Sequence, residues 1–272
     1  MKKVGLALGG GGAKGLAHIP MLEVLDELEV RPHRIAGTSI GAIVGALYAS
    51  GHSAEAIRER VQGMVLSRGD SFKAALKKKD ILRWIEFLDL EFHGHAIFKG
   101  DRFIDFLYHA MGAKTFEELQ VPLSVVATDF WRSEQVVLDS GDLLSAVKAS
   151  MGLPGVFTPV QRDGRVLIDG GGVNPVPHDL LIDCDLVIAI DVMGRPSVEA
   201  DKLPGLFRAV LGTFDIMQNS IIAEKLKYSP PDIYIKPDVV DVDLLEFYKA
   251  NDIYQQSQAA RQALKEKLMV ML

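Results

Sequence analysis

A chain of 272 residues, 48% hydrophobic and 24% charged, has the composition of a globular protein long enough to bury a sizeable core. Its formal net charge of −6 offers no basic face for phosphate backbones, which excludes nucleic acid as the main partner. Cys184 is the single cysteine, so an intramolecular disulfide is excluded and a reducing compartment fits best. The opening MKKVGLAL looks like a signal peptide only superficially, because glycines break its apolar run and no small-residue cleavage site follows. No stretch reaches the roughly 18–20 uninterrupted apolar residues of a membrane span. The expectation is a soluble, cytoplasmic protein.

In chain order, Lys3 to Leu8 reads as a short buried strand, followed by the glycine run Gly9 to Gly12, Ala13, Lys14 and Gly15. Leu16, Ile19, Leu22, Leu25 and Leu28 then recur at helical spacing, with Pro20 marking a kink or the true helix start. A second strand spans His33 to Ala36, and Ile40 to Ser50 is a Gly- and Ala-rich helix suited to close packing on a sheet. Further strands are expected at Leu123–Thr128, Gln135–Leu138, Val166–Ile168 and Leu186–Ile190. Helices are expected at Arg102–Met111, Leu143–Ser150 and Phe207–Lys227, with a long one across Leu244–Leu272. This alternation predicts a three-layer α/β/α sandwich around a mainly parallel central sheet. Cys184, in LLIDCDLVIAI, reads as a buried structural thiol.

The segment from Phe72 to Phe98 stands apart, with Lys77, Lys78, Lys79 and Arg83 beside Trp84, Ile85, Phe87, Leu88, Leu90 and Phe92. One reading is a buried helical face with solvated lysines. The other is a flap that touches a lipid surface through Trp84, giving a transient peripheral contact on the inner membrane face.

Gly37-Thr38-Ser39-Ile40-Gly41 matches G-x-S-x-G, in which glycines permit a sharp strand-to-helix turn that exposes the serine oxygen. A bland alternative is a tight turn with a helix-capping serine. Four successive glycines, Gly9 to Gly12, leave backbone N–H groups unshielded, so the loop is a ready oxyanion hole if Ser39 is a nucleophile. Gly10, Gly12 and Gly15 also fit the dinucleotide pattern G-x-G-x-x-G. That pattern needs an acid near the end of the second strand, where this chain has Ser39 instead. Asp169, in Val166-Leu167-Ile168-Asp169-Gly170-Gly171-Gly172, is delivered by an apolar strand into glycine-opened space. An apolar setting makes such a carboxylate a stronger base than in water, so a Ser39–Asp169 dyad is chemically sound. Asp163-Gly164 just upstream reads as an ordinary turn. Of the seven histidines, only His178 competes, since it follows an acid in the order of a Ser–Asp–His triad. His18 and His33 read as structural, His52 follows a helix end, and His93, His95 and His109 have no catalytic context.

Together the three motifs resemble the patatin-like phospholipase family. Ala149 to Phe157 and Asn174-Pro175-Val176-Pro177 resemble segments of its small bacterial members, and the likeness runs from about Lys3 to Asp191. It implies a serine acyl hydrolase acting on lipid acyl esters through Ser39 and Asp169. Gly10, Gly11 and Gly12 would supply the oxyanion hole, with Lys14, Gly15, Gly37, Gly41, Gly170 and Gly171 supporting the motifs. No metal or cofactor is implied. The family usually has Arg where Lys14 stands, and its first helix usually runs on through the position of Pro20. The whole chain, 1–272, reads as one hydrolase domain with 72–98 as a flap and 204–272 as a C-terminal helical part for packing or oligomerisation. Two rivals are a triad esterase using His178 and a non-catalytic module whose glycine loop binds a regulatory anion.

Overall fold

Short apolar runs build one eight-stranded sheet in the computed structural model, which describes residues 2–66, 110–194 and 203–272. The strands are β1 (Val4–Leu8), β2 (Arg34–Thr38), β3 (Leu123–Asp129), β4 (Glu134–Leu138), β5 (Val160–Arg162), β6 (Arg165–Asp169), β7 (Leu186–Ile190) and β8 (Ile233–Ile235). Their order is β5-β6-β3-β2-β1-β7-β8, with β4 paired to β3. β1, β2, β3, β7 and β8 pair in parallel, while β4, β5 and β6 join antiparallel.

One edge of β3 has two tenants. Leu123 to Val126 pair with β2, and Ala127 to Asp129 pair with β6, while β4 holds the opposite edge. β6 therefore takes over where β2 stops, and the last residue of β6, Asp169, faces Ala127 just beyond the end of β2.

Side chains alternate between the faces of the sheet. Leu6, Leu8, Ile35, Ile188 and Ile190 enter the larger core, whereas Ala7, Ala36 and Ala189 enter a thinner one with Val176, Leu181 and Ile222. Helices α1 (His18–Glu27), α2 (Ile40–Ala49) and α3 (Ala54–Leu66) contribute to the larger core. So do α4 (Leu143–Ser150), α6 (Ala250–Gln256) and α7 (Gln258–Met271). Helix α5 (Leu206–Tyr228) covers the alanine face through Ile222. The expected α/β/α layering is the observed one.

Pro20 sits in the first turn of α1, after a 3₁₀ segment over Gly12–Ala17, so its missing N–H breaks no helical bond. The long helix expected over Leu244–Leu272 is broken. Ser257 is buried at the junction of α6 and α7, and its hydroxyl donates back to the Ile253 carbonyl at 2.6 Å. Helix α3 was not expected, although Ala54, Ile57 and Val61 lie on one buried stripe. β5 and β8, each of three residues, are too short to show a period. Asp163 and Gly164 do form the β5–β6 turn, with φ of 51° and 72°. Cys184 lies before β7 and is half-buried rather than buried, and desolvation raises the pKa of its thiol. The segment Phe72–Phe98, the histidines His93, His95 and His109, and the expected helix Arg102–Met111 apart from its last two residues lie outside the described residues. Among the described residues no helix is long and apolar enough to cross a membrane.

Every residue of α2 is buried, and its first turn presses on the end of β1. A Cβ at Gly41 would collide with the Leu8 carbonyl, whereas one at Gly45 would meet side-chain tips of Ile35 and Leu123 at 3.3 Å and of Leu8 at 3.5 Å. Backbone cannot yield as a side-chain tip can. Gly41→Ala should therefore cost at least about 2 kcal/mol in denaturant unfolding, well beyond Gly45→Ala. Equal unfolding midpoints for the two variants would contradict this packing.

Candidate active site

A single residue separates β2 from α2, and the reversal forces Ser39 to φ 54° and ψ −122°, a conformation that costs a non-glycine residue strain. Its surroundings hold it there. The Ser39 N–H donates to Ser150 Oγ at 2.8 Å, and Thr38 Oγ1 donates to the Asn174 carbonyl at 2.7 Å. Gly15 packs on Ile40 and Gly37 on Ala42, leaving no room for a Cβ at either. The Ser39 hydroxyl does not cap α2. It donates instead to Asp169 Oδ2 at 2.7 Å, so the bland capping reading does not describe this serine.

Asp169 closes β6 and is 4% exposed. Its N–H donates to the Gly152 carbonyl at 3.1 Å, and Oδ1 accepts the Gly171 N–H at 2.7 Å. Gly170 lies against the Val126 carbonyl, which is why the chain turns there without a side chain. Burial pushes the Asp169 carboxyl up to about 6, against the opposing pull of its bonds from Gly171 and Ser39. Such a carboxylate is ionised at neutral pH and more basic than a surface aspartate.

Only part of the glycine loop remains open. The Gly9 N–H is bonded to the Ile190 carbonyl and the Gly10 N–H to the Pro175 carbonyl, each at 3.0 Å. Gly10 lies beside Ser39, where a Cβ would stand 3.5 Å from the serine Cβ. Its N–H is nevertheless committed, which corrects the expected donor trio. Among the described residues, Gly11 and Gly12 carry N–H groups with no bonded acceptor. Gly12 has φ 57° and abuts Leu244, whose carbonyl accepts the Ala13 N–H at 2.8 Å. Below the loop, His18 is fully buried and donates Nε2–H to the Gly9 carbonyl at 2.8 Å. Desolvation lowers its pKa to about 4, so it is neutral at physiological pH. Lys14 is half-buried and donates to the Met193 carbonyl at 3.3 Å.

His178 takes no part in this arrangement. Its Nδ1 faces the Val176 carbonyl at 3.0 Å and its Nε2 the Ser229 carbonyl at 2.9 Å, so neither nitrogen serves Ser39 or Asp169. The adjacent Asp179 bonds Lys225 and Asn174. That removes the triad reading. Among the described residues no three His, Cys, Asp or Glu side chains gather as metal ligands would. Sequence reasoning gave Ser150, Gly152 and Asn174 no role of their own. Their one signal was the small-residue run Ala149-Ser150-Met151-Gly152 after a helix and the polar Asn174 beside prolines.

The Patatin-like phospholipase family model matches residues 6–182. An uncharacterized NTE family protein of Mycobacterium tuberculosis is 32% identical over 225 residues, covering 79% of this chain and 58% of that protein. Lysophospholipase NTE1 of Pyricularia oryzae is 29% identical over 278 residues, covering 93% of this chain and 18% of the relative. The chain thus spans little more than half the length of the first relative and a small part of the second. In fold it is similar to VipD from Legionella pneumophila, with TM-score 0.52 and 15% identity over 96% of this chain and 67% of that one.

Burying an ionised Asp169 has a stability signature. A carboxyl raised from 3.8 in the unfolded chain to about 6 carries no penalty below pH 4. Stability is lost as pH rises from about 4 to 6, and the deficit is constant above that. Asp169→Asn removes the charge while an amide can still serve Gly171 and Ser39. The variant should gain on the order of 2 kcal/mol relative to the unsubstituted protein at pH 7.5 compared with pH 4. Melting curves of both proteins across this range test the sign, and parallel curves would show that the carboxyl is not perturbed.

Proposed function

The chain belongs to the patatin-like phospholipase family, and on that premise we propose that it is a serine hydrolase cleaving acyl esters of lipids with a Ser39–Asp169 dyad. The observation that carries the reading is the 2.7 Å bond from Ser39 Oγ to a buried carboxylate at a strand–helix elbow. Asp169 takes the Ser39 proton as Oγ attacks the acyl carbonyl carbon. The tetrahedral oxyanion is met by the free N–H groups of Gly11 and Gly12, one donor of this kind being worth roughly 3–4 kcal/mol. Gly10 shapes the loop, its own N–H being held by Pro175.

As the carbon–oxygen bond to the leaving alcohol breaks, protonated Asp169 returns its proton to that oxygen. Ser39 is then esterified. Asp169, ionised again, takes a proton from water, and the hydroxide so formed attacks the acyl carbonyl. The proton passes back to Ser39 as the fatty acid leaves. One base serves both halves because it is basic enough to accept a proton near neutrality and acidic enough to give it back. The name of the fungal relative, a lysophospholipase, makes a single-chain phospholipid the first natural substrate to test.

Ser39→Ala and Asp169→Asn should each lose at least about a thousandfold in kcat on a nitrophenyl ester, as removal of a nucleophile or its base does. Labelling by a fluorophosphonate should vanish in Ser39→Ala, and His178→Ala should keep most activity. The profile of kcat/KM against pH should rise with unit slope to a plateau above about pH 6, where Asp169 ionises. Substantial activity in Ser39→Ala, or a His178→Ala loss as deep as that of Asp169→Asn, would defeat the assignment.

A further inference from the structure

We infer that Ser150 is a positioning residue for Ser39: its hydroxyl oxygen accepts the Ser39 N–H and so holds the strained turn that aims Ser39 Oγ at Asp169. The inference rests on the nucleophile reading above and extends it to a residue outside the dyad and the glycine loop.

A residue at φ 54° and ψ −122° keeps that conformation only if its surroundings over-determine it. At Ser39 the carbonyl is fixed by α2, accepting the Ala42 N–H at 2.9 Å. The N–H points the other way, to Ser150 Oγ at 2.8 Å. Ser150 is the last residue of α4 and is fully buried. Its hydroxyl is therefore withdrawn from bulk water. The same helix end serves the second member of the dyad. Two residues beyond Ser150, the Gly152 carbonyl accepts the Asp169 N–H at 3.1 Å, and a Cβ at Gly152 would stand 3.3 Å from the Ile168 Cα. Ser39, just past β2, and Asp169, at the end of the oppositely directed β6, are thus both bonded to the C-terminal end of α4 and the turn after it.

Helix α4 is held at its far end too. Asp142 caps α4 by accepting the Ser145 N–H at 2.6 Å, and Arg162 donates to the carbonyls of Asp142 and Ser140 at 2.8 and 2.9 Å. A helix fixed at both ends transmits position. The bond also divides the N–H groups around the site. The Ser39 N–H is spent on Ser150, whereas those of Gly11 and Gly12 stay open for a substrate oxygen.

Ser150→Ala keeps the volume and removes the acceptor. A displacement of about 1 Å at a reacting atom is enough for a hundredfold loss. On a soluble nitrophenyl ester, the variant should lose ten- to a hundredfold in kcat with KM unchanged. The saturating rate of fluorophosphonate labelling should fall in parallel, while the acidic limb of the pH profile stays in place. Ser150→Thr or Ser150→Cys, which restore an acceptor, should recover at least half of the lost rate on a logarithmic scale. A merely structural role would lower the melting temperature without this split between kcat and KM, and that outcome overturns the proposal. So does labelling of Ser150→Ala at the unsubstituted rate while Ser39→Ala remains dead, a result that leaves the nucleophile reading intact. Failure of the unsubstituted protein to label overturns both. If Ser150→Ala does not fold, the order of the replacements decides: Thr faster than Cys supports the bond, and equal rates refute it.

Discussion

The site depends on how β3 shares its edge. β2 is too short to pair with all of β3, and β6 fills the remainder from the opposite direction. Two strands then meet nearly end to end, one delivering Ser39 just past its last residue and the other delivering Asp169 as its last residue. A serine hydroxyl and a carboxylate brought together in this way need no flexible loop between them. Their 2.7 Å hydrogen bond is a consequence of sheet register, and register is specified by which face each apolar residue must enter.

Burial then sets the chemistry. Removing Asp169 from water disfavours its charge, and the Gly171 and Ser39 bonds return only part of that loss. The protein thereby gives up stability at neutral pH and holds a carboxylate more basic than a surface aspartate beside the Ser39 hydroxyl. The histidines beside the site show the opposite use of burial. His18 is kept neutral so that it can donate to the Gly9 carbonyl without adding charge beneath the glycine loop. Both ring nitrogens of His178 face backbone carbonyls, of Val176 and Ser229. Neither ring competes with Asp169 for the serine proton.

Much of this was legible in the residues because the decisive features are local. Glycines after β1, around Ser39 and after Asp169 mark places where backbone must approach backbone, and the apolar runs beside them mark the strands. What was not legible is tertiary. Whether the Gly10 N–H is free depends on Pro175, and nothing near Gly10 reports it. The capping alternative for Ser39 fails because a carboxylate from another strand captures the hydroxyl. The interruption between α6 and α7 is the single residue Ser257, whose hydroxyl turns back on its own helix, so helical periodicity alone runs through it. The bond from Ser39 to Ser150 was hidden because a serine at a helix C-terminus has no distinctive pattern.

The C-terminal part, beyond the residues matched by the family, packs against the glycines around Ser39 and Asp169. Leu244 supplies the carbonyl that anchors Ala13 at the end of the glycine loop and the bulk against Gly12. Helix α5 lays Phe214 near Gly172 and the Gln218 amide against Gly171, where a Cβ would stand 2.9 Å away. Farther along, Lys225 bonds Asn174, the residue whose carbonyl receives the Thr38 hydroxyl one position before Ser39. Removing α5 would therefore uncover the glycines behind Asp169 and strip the cation from Asp179. Packing on Leu264 and Leu268 holds α7 to the same core. The elements after Asp191 thus brace the backbone around Ser39 and Asp169 from outside the residues that the family model matches.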